Sequence, residues 1–291
     1  MKEIKIFWFG FGQTAKKFIK KIDSENLKIN LTITSRGKSE KRSFGDLEYE
    51  SFQFSENSFD QKLIENLKSS DHILSSIAPV NGEDIVIKNF QKIFKVSKIK
   101  WITYLSATSV YGNHNGDWVD EKSKTNPTST NGIDRLNAEK SWLNLADKNN
   151  LPLQIFRLSG IYSNQNNVLA RLKSGNAKII KKKNNFFSRI HVEDLANILF
   201  KSLQNFKSKE IYNISDDKPT SSEELVLYGS KLLNIEKPET VDLSKIENQM
   251  LKNFYKDSKK VSNKKMKIFF EYQLKYPTYV EGLNYIHNNI V

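Results

Sequence analysis

Two glycines set between an apolar run and an amphipathic stretch constrain this chain more than any other feature. IKIFWFG (4–10) is a short continuous apolar run ending in glycine, as a parallel strand buried on both faces would be. TAKKFIKKI (14–22) follows at once, with Phe18, Ile19 and Ile22 at helical spacing. The junction GFGQTA (10–15) therefore has the form G-x-G-x-x-A at a strand-to-helix turn. Gly10 permits the tight turn, Gly12 lets the backbone approach a pyrophosphate, and Ala15 is small enough for close packing of helix on strand. Gln13 and Thr14 open the helix, whose first N–H groups and positive dipole end suit phosphates. A lone match of this kind often marks a mere turn. Here the flanking strand and helix, and a second strand at the proper distance, favour dinucleotide binding.

The end of that second strand, LKINLTITS (27–35), selects between dinucleotides. A site for NAD usually places Asp or Glu there for the ribose 2′-hydroxyl, whereas this chain has Ser35 and Arg36, with Lys38 close behind. A carboxylate would repel a 2′-phosphate, while a guanidinium and a hydroxyl would bind it. NADP is accordingly expected in preference to NAD, against the alternative that Arg36 is a solvated loop charge. Ser76 and Ala78, late in HILSSIAP (72–79), complete the expected cofactor-binding set.

Further along, YESFQFS (49–55) alternates aromatic and polar residues as a third strand. FDQKLIENLKSS (59–70) is expected to be a helix, HILSSIAP a strand, EDIVIKNFQKIF (83–94) a helix and KWITYLSA (100–107) a strand. A helix over 131–149 and the strand LPLQIFRLSGIY (151–162) follow. Strands alternating with helices imply an α/β chain with a Rossmann-type doubly wound parallel sheet. Past residue 162 the rhythm loosens. The helices 167–175, 192–204 and 221–234, the strand EIYNIS (210–215) and a closing helix within 275–289 suggest a smaller C-terminal α+β part. The expected division is 1–162 and 163–291, with segments returning to the first part. A chain of 291 residues, 38% of them hydrophobic, can bury a core for one large domain or two ordinary ones.

Composition excludes several chemistries. With no cysteine there can be no disulfide, thiolate nucleophile or Cys-ligated metal, and four scattered histidines offer no metal-ligand spacing. The start MKEIKIFWFGFG is interrupted by its glycines and leads to no small-residue cleavage site, and no apolar run reaches the roughly 18 residues a membrane span needs. A soluble cytoplasmic protein is expected. The formal charge of +13 raises nucleic acid as a partner, but the excess is lysine spread along the chain among many asparagines. Lys181, Lys182 and Lys183, and the stretch KKVSNKK (259–265), read first as solvated surface and second as phosphate contacts.

GFGQTA, YLSATSVYG (104–112), AEKSW (138–142), FRLSGIY (156–162) and SRIHVEDLA (188–196) occur in the order found in extended short-chain dehydrogenases/reductases. The chain resembles the NAD-dependent epimerase/dehydratase group, in its atypical branch with a G-x-G-x-x-G/A loop. That resemblance covers nearly the whole chain. It implies a dinucleotide-binding domain, a small substrate domain with a small-molecule substrate such as a sugar nucleotide between the two, and a homodimer through helices 83–94 and 131–149. It does not by itself imply a reaction.

Active members of the group carry a Tyr-x-x-x-Lys pair on the helix after the VYG strand, with a Ser or Thr three residues before the Val of VYG. Matched from AEKSW, the Tyr position is Asn131 and the Lys position Arg135; matched from Val110, the Ser/Thr position is Ala107. An amide exchanges no proton near neutral pH, and Arg135 can bind ribose hydroxyls but cannot relay protons. Thr108 and Ser109 could substitute for Ala107 if the loop shifts by a residue. For a replacement acid/base the candidates are Tyr111, then Asp120 and Glu121 in GDWVDE (116–121), and Tyr162, each set against a purely structural reading. The position where sugar-nucleotide epimerases commonly hold a diphosphate-binding Arg is Phe187, so Arg189 is the expected stand-in beside Tyr162 as a substrate-binding residue. His191 and Asp194 read as structural, tying their strand to the next helix. Two functions remain: an NADP-dependent oxidoreductase or epimerase-like enzyme with a non-standard proton donor, or an inactive NADP-binding sensor. Nucleic-acid binding ranks last.

Overall fold

IKIFWF is extended over Ile4–Phe9 (β1), and its last four residues are buried on both faces because a helical layer covers each side of a parallel sheet. The computed structural model describes residues 3–95, 98–247, 252 and 255–290. From β1 the chain turns into α1 (Gln13–Ser24), which buries Thr14, Ala15, Phe18, Ile19 and Ile22. β2 (Ile29–Ser35), β3 (Glu40–Phe44), β4 (Leu47–Gln53), α2 (Leu63–Ser69), β5 (His72–Ser75) and α3 (Ile85–Phe94) follow. Then come β6 (Trp101–Ala107), a 3₁₀ turn (Thr108–Tyr111), β7 (Trp118–Val119), α4 (Thr130–Asn149) and β8 (Leu153–Leu158).

The later elements are β9 (Gly160–Tyr162), α5 (Val168–Lys173), β10 (Ile179–Ile180), β11 (Arg189–His191), α6 (Val192–Gln204), β12 (Glu210–Ile214), α7 (Ser222–Leu232), β13 (Thr240–Val241), β14 (Lys260–Val261), α8 (Lys264–Phe270) and α9 (Tyr279–Ile290). Eight strands form one sheet in the order β12-β8-β6-β5-β1-β2-β4-β3. The pairs β1/β2, β1/β5, β5/β6 and β2/β4 are parallel, as the alternating pattern predicts, and only the β3/β4 edge pair among those with a resolved register is antiparallel.

Contacts divide the chain into two compact units. The first takes Met1–Ala107, Ile133–Arg157 and Ala196–Tyr212, the second Thr108–Gly132, Leu158–Leu195 and Asn213–Val291. The first is organised around an aromatic core in which Phe9 stacks on Phe90 at 5.4 Å and Tyr104 on Trp142 at 5.9 Å. Asp84 fixes α3 there: its carboxylate accepts from Val86 N and Ile87 N as the N-cap and from Trp142 Nε1 of α4 at 2.9 Å. In the second unit, Tyr162, Leu169, Leu225, Tyr279 and Leu283 gather α5, α7 and α9 around one core.

Several boundaries differ from those the sequence predicts. The third strand is half of a hairpin, because Gly45 at φ +61° and Asp46 form a two-residue turn between β3 and β4. The expected strand 72–79 ends at Ser75. The run 151–162 breaks at Ser159, whose N–H leaves for Ile214 O, so β9 pairs instead with β11 in a separate small sheet. No helix of the described residues is long and apolar enough to cross a membrane.

Candidate functional site

The glycine loop is built as its sequence requires. Gly10 has φ +87°, and a Cβ there would stand 2.9 Å from Ser76 Oγ, so both conformation and space call for glycine. Its N–H donates to Thr34 Oγ1 at 3.0 Å, which registers the loop against the end of β2. The Ser76 hydroxyl accepts from Trp8 Nε1 at 3.0 Å and donates to Phe9 O at 2.9 Å, so this expected cofactor contact is engaged in supporting the loop from below. Ala78 is exposed.

Gly12 is the N-cap of α1, with ordinary extended backbone and nothing within 4 Å of where its Cβ would be. No side chain caps the helix and no acid lies in its first turn. Gln13 is exposed, while Thr14 and Ala15 are buried against the sheet. The free N–H groups and dipole end of a twelve-residue helix are thus presented through open backbone, which fits the diphosphate of a dinucleotide.

At the end of β2, Ser35 is half-buried, with its hydroxyl 3.4 Å from that of Ser51, and Arg36 and Lys38 are exposed. Phe11, between the two glycines, packs against Tyr49 at 5.2 Å and Phe44 at 6.3 Å. These aromatics belong to the β3/β4 hairpin, of which the alternation at 49–55 predicts the second strand and not the first. Its signal was present: Gly-Asp between two alternating runs is a hairpin turn.

Asn131 and Arg135 lie in the first turns of α4, and Ala107 ends β6 just before the 3₁₀ turn. Ser129 Oγ accepts from Gly132 N at 3.2 Å and so caps the helix. A Cβ on Gly132 would meet Ser109 O at 2.8 Å, so the first turn of α4 lies directly on the 108–111 turn. Asn131 is exposed in that first helical turn, while Thr108 and Ser109 are half-buried. Arg135, one turn on, donates from Nη1 to Leu105 O at 2.9 Å and to Tyr104 OH at 3.2 Å. It therefore holds α4 to the end of β6. One more turn along, Glu139 makes a buried bidentate pair with Arg157 of β8, Nη2 to Oε2 at 2.7 Å.

The candidates for a replacement proton donor are placed differently from one another. Tyr111 is wholly buried and its hydroxyl donates to Asn213 Oδ1 at 2.7 Å. A phenol sealed in this way packs the turn. Tyr162 is buried with its hydroxyl against α9: a Cβ on Gly282 would lie 2.0 Å from that oxygen. Burial pushes the Tyr162 phenol up, and nearby Asp216 and Asp194 push it further. Asp120 is exposed and closes its own turn, accepting from Ser123 Oγ at 2.9 Å and Lys122 N at 3.0 Å, which lowers its pKa. Glu121 differs. It is half-buried, accepts from Asn213 N at 2.8 Å, and burial raises its carboxyl above the usual range.

Arg189, the expected substrate contact, donates to Phe187 O at 2.9 Å, and burial lowers its guanidinium to about 10. Close to it, Asp216 is almost fully buried; burial drives its carboxyl well above the ordinary value, and Arg189 opposes that rise. Asp194 accepts from Tyr272 OH, Lys275 N and Tyr276 N, so its tie runs to the segment before α9 rather than to the preceding strand. His191 packs against Tyr276 with ring centres 4.1 Å apart and the rings tilted at 59°. Of the lysine clusters, Lys181 pairs with Glu223, Lys182 donates to Tyr255 O, and Lys259 donates to Gly112 O at 3.0 Å, so these amines serve the fold. Among the described residues no group of three or more His, Asp or Glu could hold a metal.

The sequence profile described as the NAD dependent epimerase/dehydratase family matches residues 66–215. A functionally unknown conserved protein from Silicibacter pomeroyi is similar over 98% of both chains, at 30% identity and a TM-score of 0.86. The fold is also that of dTDP-glucose 4,6-dehydratase from Bacillus anthracis in complex with NAD (17% identity, 98% of this chain and 96% of that one, TM-score 0.76). UDP-glucuronic acid 4-epimerase from Bacillus cereus in complex with UDP-glucuronic acid and NAD is alike too (14% identity, 98% of both chains, TM-score 0.78). No curated protein matches the sequence.

Proposed function

The chain belongs to the NAD dependent epimerase/dehydratase family, and on that premise we propose that it binds a nicotinamide dinucleotide, NADP in preference to NAD. It then serves as an oxidoreductase or epimerase-like enzyme on a sugar nucleotide or other small carbonyl or hydroxyl compound. The observation that carries this reading is the start of α1, with Gly12 open, no capping side chain and no acid in the first turn. Relatives of the same fold in complex with NAD support the cofactor class.

When bound, the dinucleotide supplies the hydride donor or acceptor. Gly10 turns the chain so that Gly12, Gln13, Thr14 and Ala15 hold its diphosphate through backbone N–H groups, and Ser35 and Arg36 meet the 2′-phosphate. Ser76 supports the loop, Ala78 borders it, and Arg135 braces α4 at the ribose end. Thr108 and Ser109 are the hydroxyls offered to a substrate oxygen. Asn131 can orient a substrate but cannot exchange a proton with it. Among Tyr111, Asp120, Glu121 and Tyr162, Glu121 suits proton transfer best, because it is part-exposed and its raised pKa brings it nearer neutrality.

A second reading, an NADP-binding sensor without turnover, is favoured by the internal commitment of Tyr111 and Tyr162. Fluorescence titration tests the shared premise: NADPH should bind more tightly than NADH, and Arg36→Glu should reduce the preference by at least about tenfold. Equal affinities in the unaltered protein would sink the cofactor assignment. Incubation with NADPH and a panel of aldehydes, ketones and nucleotide sugars separates the two readings. Turnover that is lost in Glu121→Gln while NADPH still binds supports the enzyme; tight binding without turnover on any compound supports the sensor.

A further inference from the structure

The β3/β4 hairpin brings to the end of β2 a second cation that local sequence order does not suggest. In SRGKSEKR (35–42), alternation along β3 sends Lys41 and Arg42 to opposite faces. Lys41 pairs across the strand with Glu50 on one face, at 3.9 Å. Arg42 lies on the other, in register with Tyr49, on which Phe11 of the glycine loop packs. Ser35 shares that face, since its hydroxyl meets that of Ser51.

The guanidinium of Arg42 has a defined orientation. Its Nε donates to Glu40 Oε1 at 2.7 Å, and its Nη2 lies beside Gly37. Arg42 Nη2 and Ser35 Oγ lie 3.4 and 3.6 Å from one point, the place a side chain on Gly37 would begin. Gly37 is not in the left-handed region, so what its missing side chain provides is a gap between a hydroxyl and a guanidinium at the end of β2.

We propose that Arg42, carried there by the hairpin, is a specificity-determining residue that joins Arg36 in gripping the 2′-phosphate of NADP, with Ser35 and the Gly37 gap beside its guanidinium. A phosphate monoester dianion offers enough acceptor oxygens for two guanidinium edges and a hydroxyl, and charge-assisted bonds of this kind discriminate strongly against a ligand that lacks the group. Glu40 acts as a positioning residue that holds the Nε edge. The proposal rests on the preference for NADP argued above.

The test uses the adenosine end alone: 2′,5′-ADP against 5′-AMP, by isothermal titration calorimetry on the full chain. Arg42→Ala should weaken 2′,5′-ADP by at least about tenfold and leave 5′-AMP within about twofold. Arg42→Lys should recover part of the loss, since it keeps the charge but not the fork. Lys41→Ala, on the other face, should change neither. Loss of affinity for both ligands in Arg42→Ala, or unchanged 2′,5′-ADP binding, overturns the assignment of Arg42 alone. Equal binding of the two ligands by the unaltered protein overturns the NADP preference as well. Circular dichroism melting of each variant separates lost contact from lost fold.

Discussion

The start of α1 and the turn after β6 treat their polar groups in opposite ways. At the first, Gly12 stands in open space, the helix is uncapped and exposed Arg36 lies at the end of the neighbouring strand. At the second, polar groups are consumed internally: Tyr111 by Asn213, Glu121 in part by the Asn213 N–H, and the Gly132 N–H of α4 by the Ser129 hydroxyl. Uncompensated backbone N–H groups are costly unless something binds them, whereas a buried phenol with a partner is stable as it is. The start of α1 thus leaves its N–H groups open, whereas the turn after β6 commits its polar side chains to the fold.

The sharpest way to break that comparison is Gly12→Glu. Nothing crowds the position and its φ is −94°, so the variant should fold normally. A carboxylate against a diphosphate should nonetheless cost NADPH about a hundredfold or more in affinity, roughly 3 kcal/mol. Retained binding in a fluorescence titration would mean that the phosphates lie elsewhere. Gly282→Ala should behave inversely, since its Cβ would fall 2.0 Å from Tyr162 OH. Overpacking there should lower stability by about 2–3 kcal/mol in denaturant melts, with cofactor affinity unchanged.

Next in size is Tyr111→Phe, which strands the buried Asn213 amide oxygen and should cost about 1–2 kcal/mol. Any turnover found for the protein should survive it; loss of turnover in a folded variant would restore Tyr111 as a proton donor. The smallest effect concerns Asp216. Its folded pKa is raised by burial, so the protonated form suits the native state. The stability of the native protein relative to Asp216→Asn should therefore be greatest below the unfolded value of about 3.9 and fall as pH rises through the raised folded value, by about 1.4 kcal/mol per unit of the rise. A difference between the two melting curves that is flat with pH would show that Arg189 balances the burial.

What could be read without coordinates was whatever a few neighbouring residues decide. Strand, turn and helix at GFGQTA follow from apolar runs and glycines whose conformations are local, and helices such as 192–204 follow from their periodicity. The loss of proton transfer at Asn131 is likewise chemical identity and needs no fold. The hairpin of β3 was legible in Gly45-Asp46 but was obscured by its charged, alternating strand.

The role of each candidate side chain was not legible, because it depends on partners far away in sequence. Tyr111 meets Asn213 at a separation of 102 positions, and Tyr162 meets Gly282. Sequence therefore determined the parallel sheet, the glycine turn into α1 and the amide that stands at Asn131. The tertiary structure decided that Tyr111 and Tyr162 are buried, that Arg189 bonds the Phe187 carbonyl, that Glu121 keeps a part-exposed carboxyl, and that Arg42 and Ser35 flank Gly37. The reason is physical: backbone turns are set by local sterics, whereas burial and hydrogen-bond partners are set by strand register and by which surfaces pack together.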